Sequence, residues 1–557
     1  MTSKNSAFGG WPPTSFELKS KLMTATLMIR LALTLLTTAL LASCGGGGGG
    51  GVGGTTTISS TTTTTQSTGF ASLPAAATLA ARCAAPRSGA SPVTAAPYPD
   101  RLGSLLNEQN WLAAWTNDLY LWYREVPYPT PTNYSTTGSY FKVLKTSQLS
   151  PSGAPKDRFH FSQDTAAWEV ESSTDLQIGY GATWSLSNAT PPRHALVAYT
   201  EPGTPATSLN PPLARGASIL RVDGVDFVND ITQAGVAILN AALFPVSAGE
   251  SHTFVVQDPG SSTTRNITMV SALFNSTPVQ NVGTLAGGTV GYMLFNDHMA
   301  SAESALINAF LQFQNAGVTD LVLDVRYNRG GYLAVANELA YMIAGPTRSS
   351  GKTFEQLSFN DKHPNIDPVA LTPNTPILFR STAVGFGTTA AGTALPTLNL
   401  GRVFVLTGSD TCSASESVMN GLRGIGVEVI QIGATTCGKP YGFYPTDNCG
   451  TTYFSIQFKG VNAAGFGDYS DGFAPQNGAT SGLPADAILP GCAVADDFTH
   501  ALGDPAEARL AAALQYRTNG VCPTPASLSA ARMAKAQSSM DGEVHKNLFL
   551  SNRILKR

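Results

Sequence analysis

The chain has 557 residues, 13% of them charged, a formal net charge of −3 and seven cysteines. At ~150 residues per domain that length allows three or four units, and the near-neutral charge excludes an electrostatic nucleic-acid binder, which needs excess cations to neutralise phosphates. Low charge with 55 glycines and 35 prolines favours an exported, loop-rich protein over a coiled coil, and an odd cysteine count there requires one cysteine with a fate other than a disulfide.

The N-terminus supplies that cysteine. Arg30 precedes an apolar run from Leu31 to Leu41, followed by Ala42, Ser43 and Cys44. A basic flank, a short apolar stretch and small residues describe a secretory signal, and the run is too short for a transmembrane span. Leu41-Ala-Ser-Cys44 resembles a bacterial lipobox, which implies a signal peptide over 1–43, lipidation of Cys44 and an exported lipoprotein of the cell envelope, in the periplasm or at the outer membrane. Residues 44–82 follow as a Gly/Thr-rich tether, opening with seven glycines, Gly45 to Gly51; such composition buries no core and behaves as a flexible coil. Removing residues 1–43 takes away four cations and one anion, which moves the net charge from −3 to −6. That charge repels anionic lipid, so membrane attachment has to come through the covalent anchor.

Residues 83–168 read as a helical region. Apolar residues between Leu105 and Trp122 recur at helical spacing and meet Pro127, Pro129 and Pro131; a second helix is expected over Tyr140–Leu149. The aromatic stripe, with Trp111 and Trp115, reads as core rather than a ligand box. Residues 169–280 alternate β-type runs (Ala195–Tyr199, Ser218–Val222, Thr253–Gln257) with turn residues. Three phrases in this stretch, Ile178-Gly179-Tyr180-Gly181, Glu201-Pro-Gly-Thr-Pro-Ala206 and Arg215-Gly216 to Asp223-Gly224, together resemble a PDZ domain. Ala217 stands where that domain usually carries Asp. The resemblance implies peptide binding at Ile178, Gly179, Tyr180 and Gly181, where a strand joins a sheet edge and backbone N–H groups hold its terminal carboxylate.

Residues 281–510 read as α/β. Short apolar runs at Thr289–Phe295, Leu321–Val325, Arg402–Leu406 and Val427–Ile432 are strands of the fully buried kind, separated by helical patterns such as Ser301–Asn315, which predicts a mostly parallel sheet. Residues 511–557 remain as a C-terminal tail. The expected fold is therefore multidomain α+β.

No Gly-x-Ser-x-Gly, His-Glu-x-x-His or Cys-x-x-Cys motif occurs, so neither the usual α/β-hydrolase elbow nor a zinc site has support, and no metal or cofactor is expected. Gly345 to Thr353 imitates a P-loop, with one residue too many and after a helical pattern. The chemically strongest stretch is Thr407 to Leu422, where a strand runs through a small-residue turn into a helix. Serine at a helix N-terminus sits where unpaired N–H groups favour developing negative charge, but it needs a base. After the next strand comes Thr436-Cys437-Gly438-Lys439, which a βαβ crossover can return beside that serine. A lysine desolvated in an apolar pocket loses proton affinity and can serve as the base.

Ser413-Ala-Ser-Glu416, Thr436-Cys-Gly-Lys439 and Leu323-Asp324-Val-Arg326-Tyr-Asn328-Arg-Gly330-Gly331 resemble, in this order, the motifs of C-terminal processing (tail-specific) serine peptidases. The resemblance implies an N-terminal helical region, a PDZ-like domain and a catalytic core of the crotonase-like, tricorn-related type. It assigns Ser413 as nucleophile, with Ser415 as runner-up, Lys439 as base, and the N–H groups of Ala414 and of Gly330 or Gly331 as oxyanion hole. Substrates would be proteins or peptides with exposed C-termini. Three departures stand out: Pro440 follows the lysine in place of glycine, Phe443 occupies the position of a glutamine that holds the lysine, and Cys437 replaces an aromatic residue. They leave a second reading open, a catalytically inactive peptide-binding lipoprotein. His298 is a weak alternative base, Asp324 and Arg326 read as a structural pair, and Asp496-Asp497 as a solvated face or cap. Of the six remaining cysteines, Cys437–Cys449 is the favoured bridge, with Cys83 reaching Cys522 or Cys492; alternatively Cys412–Cys437 braces the dyad in place of the missing glutamine.

Overall fold

The computed structural model describes residues 70–524, apart from 71, 92, 174, 175, 189 and 480, together with the backbone of 543–545. The signal peptide, Cys44 and the glycine run lie outside the described residues. The folded chain starts before Cys83, which corrects the tether's expected extent to residue 82. Phe70 is buried edge-on against Tyr128, and Leu73 and Leu79 pack on the same core; the preceding Thr/Gly run has no aromatic residue or leucine to offer.

Helix α1 (Leu105–Leu119) begins where the Ser104 hydroxyl accepts the Asn107 N–H, a side-chain N-cap. It ends eight residues before Pro127, because the Tyr120 phenol is drawn to Asp157 at 2.7 Å. Trp111 and Trp115 stack at 5.5 Å and both meet Tyr453, so the stripe is core. The second helix is shorter than predicted, Thr137–Phe141 only. Beyond it the Thr146 N–H donates to the Tyr120 hydroxyl and the Thr146 hydroxyl to Glu125, tertiary bonds that draw the chain out of helical geometry.

A β-rich module follows. Strands β1 (Ala182–Ser187), β2 (His194–Thr200) and β3 (Ser218–Val222) precede helix α2 (Gln233–Leu243) and strands β4 (Ser251–Gln257) and β5 (Arg265–Val270). They form one antiparallel sheet in the order β5-β4-β3-β2-β1. Asp223 and Gly224, both at positive φ, make the tight turn after β3, as a two-residue hairpin requires. Trp184, Ile219, Leu239 and Phe254 fill the module's own core.

The second sheet runs β6 (Val279–Leu285), β7 (Val290–Phe295), β8 (Asp320–Asp324), β9 (Arg402–Thr407), β10 (Glu428–Gly433), β11 (Gly491–Cys492), in that spatial order; β6 is antiparallel to β7 and the rest are parallel. Side chains alternate across it. Leu323, Val403 and Val405 face a core shared with helices α3 (Ala302–Asn315), α4 (Leu333–Ala344) and α5 (Ala414–Gly424). Val322, Phe404, Leu406 and Ile432 face α6 (Ala508–Asn519). Helix α6 closes the second face, so part of the expected tail from residue 511 belongs to the core.

Three disulfides join Cys83–Cys449, Cys412–Cys437 and Cys492–Cys522. The expected Cys437–Cys449 bridge does not form, because Cys449 sits in the turn of a hairpin (Thr446–Asn448, Thr451–Phe454) against the N-terminal segment, where the Ala81 N–H donates to Asn448. Cys83 likewise does not reach Cys492 or Cys522, which tie the end of α6 to β11. Among the described residues no helix is long and apolar enough to cross a membrane.

Candidate active site

The two turns that carry Ser413 and Lys439 leave the C-terminal ends of neighbouring parallel strands, β9 and β10. In register, Thr407 lies opposite Gly433, so the chain emerges from both strands on one side of the sheet. Such a strand end is the usual place for a ligand in an open α/β sheet. Ser413 precedes α5 with φ +59°, a left-handed conformation uncommon for a side-chain-bearing residue and often stored at functional sites. Its hydroxyl is buried and has no hydrogen-bond partner among the described residues.

One carboxylate ties the turns together. Glu416 Oε2 accepts the N–H of Ser413 at 2.9 Å and of Lys439 at 2.8 Å, while Oε1 accepts the Gly438 N–H at 2.9 Å and the Thr436 hydroxyl at 2.6 Å. Burial pushes the Glu416 carboxyl above its ordinary range, against the pull of these four donors. The Cys412–Cys437 disulfide spans the same two turns. Glu416 lies within 4.8 Å of both sulfurs, but sulfurs bonded to each other are not thiolate ligands, so the trio is a structural clamp.

Lys439 is fully buried. Its Nζ lies 4.7 Å from the Phe159 ring and 4.8 Å from that of Phe443, so aromatic faces flank the ammonium. Phe443 thus lies beside the lysine at the position expected for glutamine. The neighbouring Arg158 donates to the Cys437 carbonyl at 2.8 Å, fixing the N-terminal region against this turn.

The glycines of the Asp324–Gly331 segment approach from β8. A Cβ built at Gly330 would lie 2.7 Å from Ser413 Cβ and 2.9 Å from the Ala414 nitrogen, so the missing side chain keeps the space above that N–H open. Gly330 itself donates to Asn328 Oδ1 at 3.0 Å, which engages one of the expected oxyanion donors. The N–H groups of Ala414 and Gly331 donate to no acceptor among the described residues. Asn328 organises the segment: its carbonyl accepts the Cys412 N–H at 3.0 Å and the Ser415 hydroxyl at 3.1 Å. Ser415 is thereby committed to a backbone oxygen. His298 Nδ1 bonds Asn328 at 3.0 Å, and burial lowers its pKa to about 3.

Other candidates lie elsewhere. Arg326 meets Asp324 at 2.9 Å, Asp496 at 2.7 Å and Glu507 at 2.7 Å, and Asp496 also meets Arg215 of the β-rich module at 2.6 Å. Asp496 is thus buried in an ion network instead of forming a solvated face, and Asp497 caps Thr499 and Ala508. Ile178 and Gly179 pair with Leu273 and Ala272. The Tyr180 hydroxyl donates to Ala242 at 2.9 Å, and a Cβ at Gly181 would strike Thr204 at 2.2 Å. Ile178 and Gly179 thus end a short strand, Leu176–Gly179, and Tyr180 and Gly181 alone link it to β1, so the expected loop is a strand end and a two-residue turn, remote in sequence from the serine and lysine turns.

Glu416 is the residue of this candidate site that the sequence left without a role. Its signal was present: an acid three residues after a helix-initiating serine occupies the capping-box position. That it also reaches the lysine turn depends on the crossover.

A buried serine hydroxyl with no hydrogen-bond partner among the described residues, a buried lysine and a glycine-lined space are the parts that a serine–lysine hydrolase requires. Residues 289–443 match the profile of peptidase family S41. A carboxyl-terminal-processing protease of Picosynechococcus sp. is 28% identical over 140 residues, 25% of this chain and 32% of that protein, so the match spans about a third of the relative's length. A solved S41 protease structure from Bacteroides fragilis is 24% identical with a TM-score of 0.55, over 76% of this chain and 98% of that one, a likeness of fold. The matched stretch, which holds the glycine pair, Ser413 and Lys439, is thus similar to peptidase family S41 and to a carboxyl-terminal-processing protease.

Proposed function

We propose that the chain is an exported serine endopeptidase that cuts proteins near exposed C-termini, using Ser413 as nucleophile and Lys439 as base. The observation that carries this reading is the Glu416 carboxylate, which holds the N–H groups of Ser413 and Lys439 on a single oxygen. In the reaction Ser413 Oγ bonds to the scissile carbonyl carbon as its proton passes to Lys439. The oxyanion takes hydrogen bonds from Ala414 and Gly331. The leaving amine receives the proton, and water, deprotonated by Lys439, then hydrolyses the acyl-enzyme. The β-rich module acts as a PDZ-like domain whose loop 178–181 and strand β1 receive substrate tails. Lipidation at Cys44 anchors the protein in the cell envelope; three disulfides support an oxidising compartment.

Hydrolysis of a quenched peptide library tests the dyad. Ser413→Ala and Lys439→Ala each lower turnover by roughly 10⁴-fold, the scale of losing a triad member; retention of turnover by both variants removes the dyad. A second reading, a peptide-binding protein that does not cut, draws on the Ser413 hydroxyl, which makes no hydrogen bond to Lys439. Catalytic hydrogen bonds often close only on substrate binding. Labelling of Ser413 by a fluorophosphonate decides between the two, since an inactive scaffold stays unlabelled.

A further inference from the structure

Strand β12 (Glu543–His545) of the C-terminal segment pairs antiparallel with β1, Glu543 opposite Leu186, Val544 opposite Ser185 and His545 opposite Trp184. It extends the sheet to the order β5-β4-β3-β2-β1-β12. Since β2 occupies the other side of β1, β12 covers the one edge of β1 open to strand addition. A sheet edge pairs with one strand at a time.

Direction matters as much as position. The segment advances from Leu186 towards Trp184, that is, towards Ala182 and the Ile178–Gly181 loop. This is the direction in which a peptide must run for its carboxyl end to enter that loop. Twelve residues follow His545 in the sequence, so the segment docks as an internal strand and brings no terminal carboxylate to the loop at this register. Two apolar side chains of the module stay partly exposed, Ile178 just before β1 and Ile238 on α2, at 40% and 41%.

We propose that residues 543–545 are an intramolecular occupant of the peptide-docking edge, a pseudo-ligand that a substrate tail must displace before it can be presented to Ser413. The inference rests on the reading of β1 as a peptide-receiving edge. Three paired residues without a carboxylate make a short contact, which tethering reinforces: an attached segment acts at an effective concentration on the order of millimolar. Free peptide therefore competes against a local excess, and substrates carrying a proper C-terminus hold the advantage at the loop.

The test uses the full chain with Ser413→Ala, so that no peptide is cut. Adjacent residues of a strand point their N–H groups to opposite sides, so one of residues 544 and 545 donates towards β1. The double change Val544→Pro, His545→Pro removes that donor. A fluorescein-labelled peptide of residues 540–550 should bind this variant at least five-fold more tightly than the parent by anisotropy; equal affinity overturns the competition. In a separate chain, Ser185→Cys with Val544→Cys places two thiols at directly opposed positions. Mild oxidation should join them within one chain, as read by mass spectrometry of the peptides. No cross-link overturns the seat, and a cross-link only between two chains overturns its intramolecular character. Cross-linking without peptide binding to either chain overturns β1 as a docking edge and the inference with it. Labelling at Ser413 in the unmodified chain reads the peptidase reading independently.

Discussion

Two buried polar clusters sit beside the same parallel sheet, and they differ in how completely their groups are satisfied. Arg326 has its Nε on Asp324, one Nη on Asp496 and Glu507, and the other Nη on Glu507. Burial alone would lower the pKa of this guanidinium, but the three carboxylates hold it well above its usual range. Around Ser413 the Glu416 carboxylate takes up the N–H groups of Ser413, Gly438 and Lys439, yet the serine hydroxyl has no partner among the described residues. Buried polar groups are nearly always paired, so an unpaired one needs a reason. Here the contrast separates architecture from chemistry: the arginine network fixes where the β-rich module meets the core, and the serine turn keeps one atom uncommitted.

The comparison breaks first at Arg326. Arg326→Met strips Asp324 and Glu507 of their countercharge and leaves Asp496 to Arg215 and Arg509, and loss of one partner of a buried pair costs about 3–5 kcal/mol. The expected result is a large fall in thermal midpoint; an unchanged midpoint would remove the architectural role. The reverse pattern is expected of Glu416→Gln. An amide presents N–H groups to two of the four donors the carboxylate now accepts, so the serine and lysine turns separate. We expect kcat to fall by roughly 10²–10³-fold, the scale of losing one precisely placed catalytic hydrogen bond, with KM little changed. Relief from burying a charge offsets much of the stability cost. Stability that falls without loss of kcat would make Glu416 merely structural.

Gly330→Ala sharpens the same contrast from the other side. Its Cβ would enter the space between Ser413 Cβ and the Ala414 N–H, and φ at this position is +106°. The left-handed conformation costs an alanine about 1–2 kcal/mol. The larger effect is on hydrolysis, expected to drop about 10²-fold as one oxyanion donor is covered. Turnover equal to wild type would show that the oxyanion sits elsewhere.

Much of this was legible in the sequence, and the limits have physical causes. The strands of the second sheet were readable because both faces are buried, which writes Leu321–Val325 and Val403–Leu406 as unbroken apolar runs. Ser413, Lys439 and the glycine pair were readable because each sits in a short motif at a turn. Pairings across the chain were not. Cys83 and Cys449 are 366 residues apart, and nothing local to either names the other. The role of Glu416 depends on a crossover bringing Gly438 and Lys439 to it, and the early end of the second helix on Thr146 finding Tyr120 and Glu125. The network on Asp496 draws on Arg215 from a different part of the chain, so a pair that looked like a solvated acidic face became a buried hub.

The smallest expected effect distinguishes neutral from charged members of the interior. His298 is held neutral by burial, with a pKa of about 3, and His160 likewise at about 4. In the unfolded chain both titrate near the ordinary histidine value of about 6.5. Between that value and the lowered ones the unfolded state binds more protons, so stability is lost as pH falls. Asp496 acts in the same sense further down: burial pushes its carboxyl up, but Arg215, Arg509 and Arg326 outweigh this and hold it below the usual range. Glu416 opposes them, because its raised carboxyl is harder to keep ionised as pH rises. The thermal midpoint should therefore decline from pH 6.5 towards pH 4. His298→Asn should flatten that decline without abolishing it, since His160 remains. An unaltered slope in the variant would mean that His298 is already protonated in the folded protein, in which case its Nδ1 bond to Asn328 joins the charged clusters.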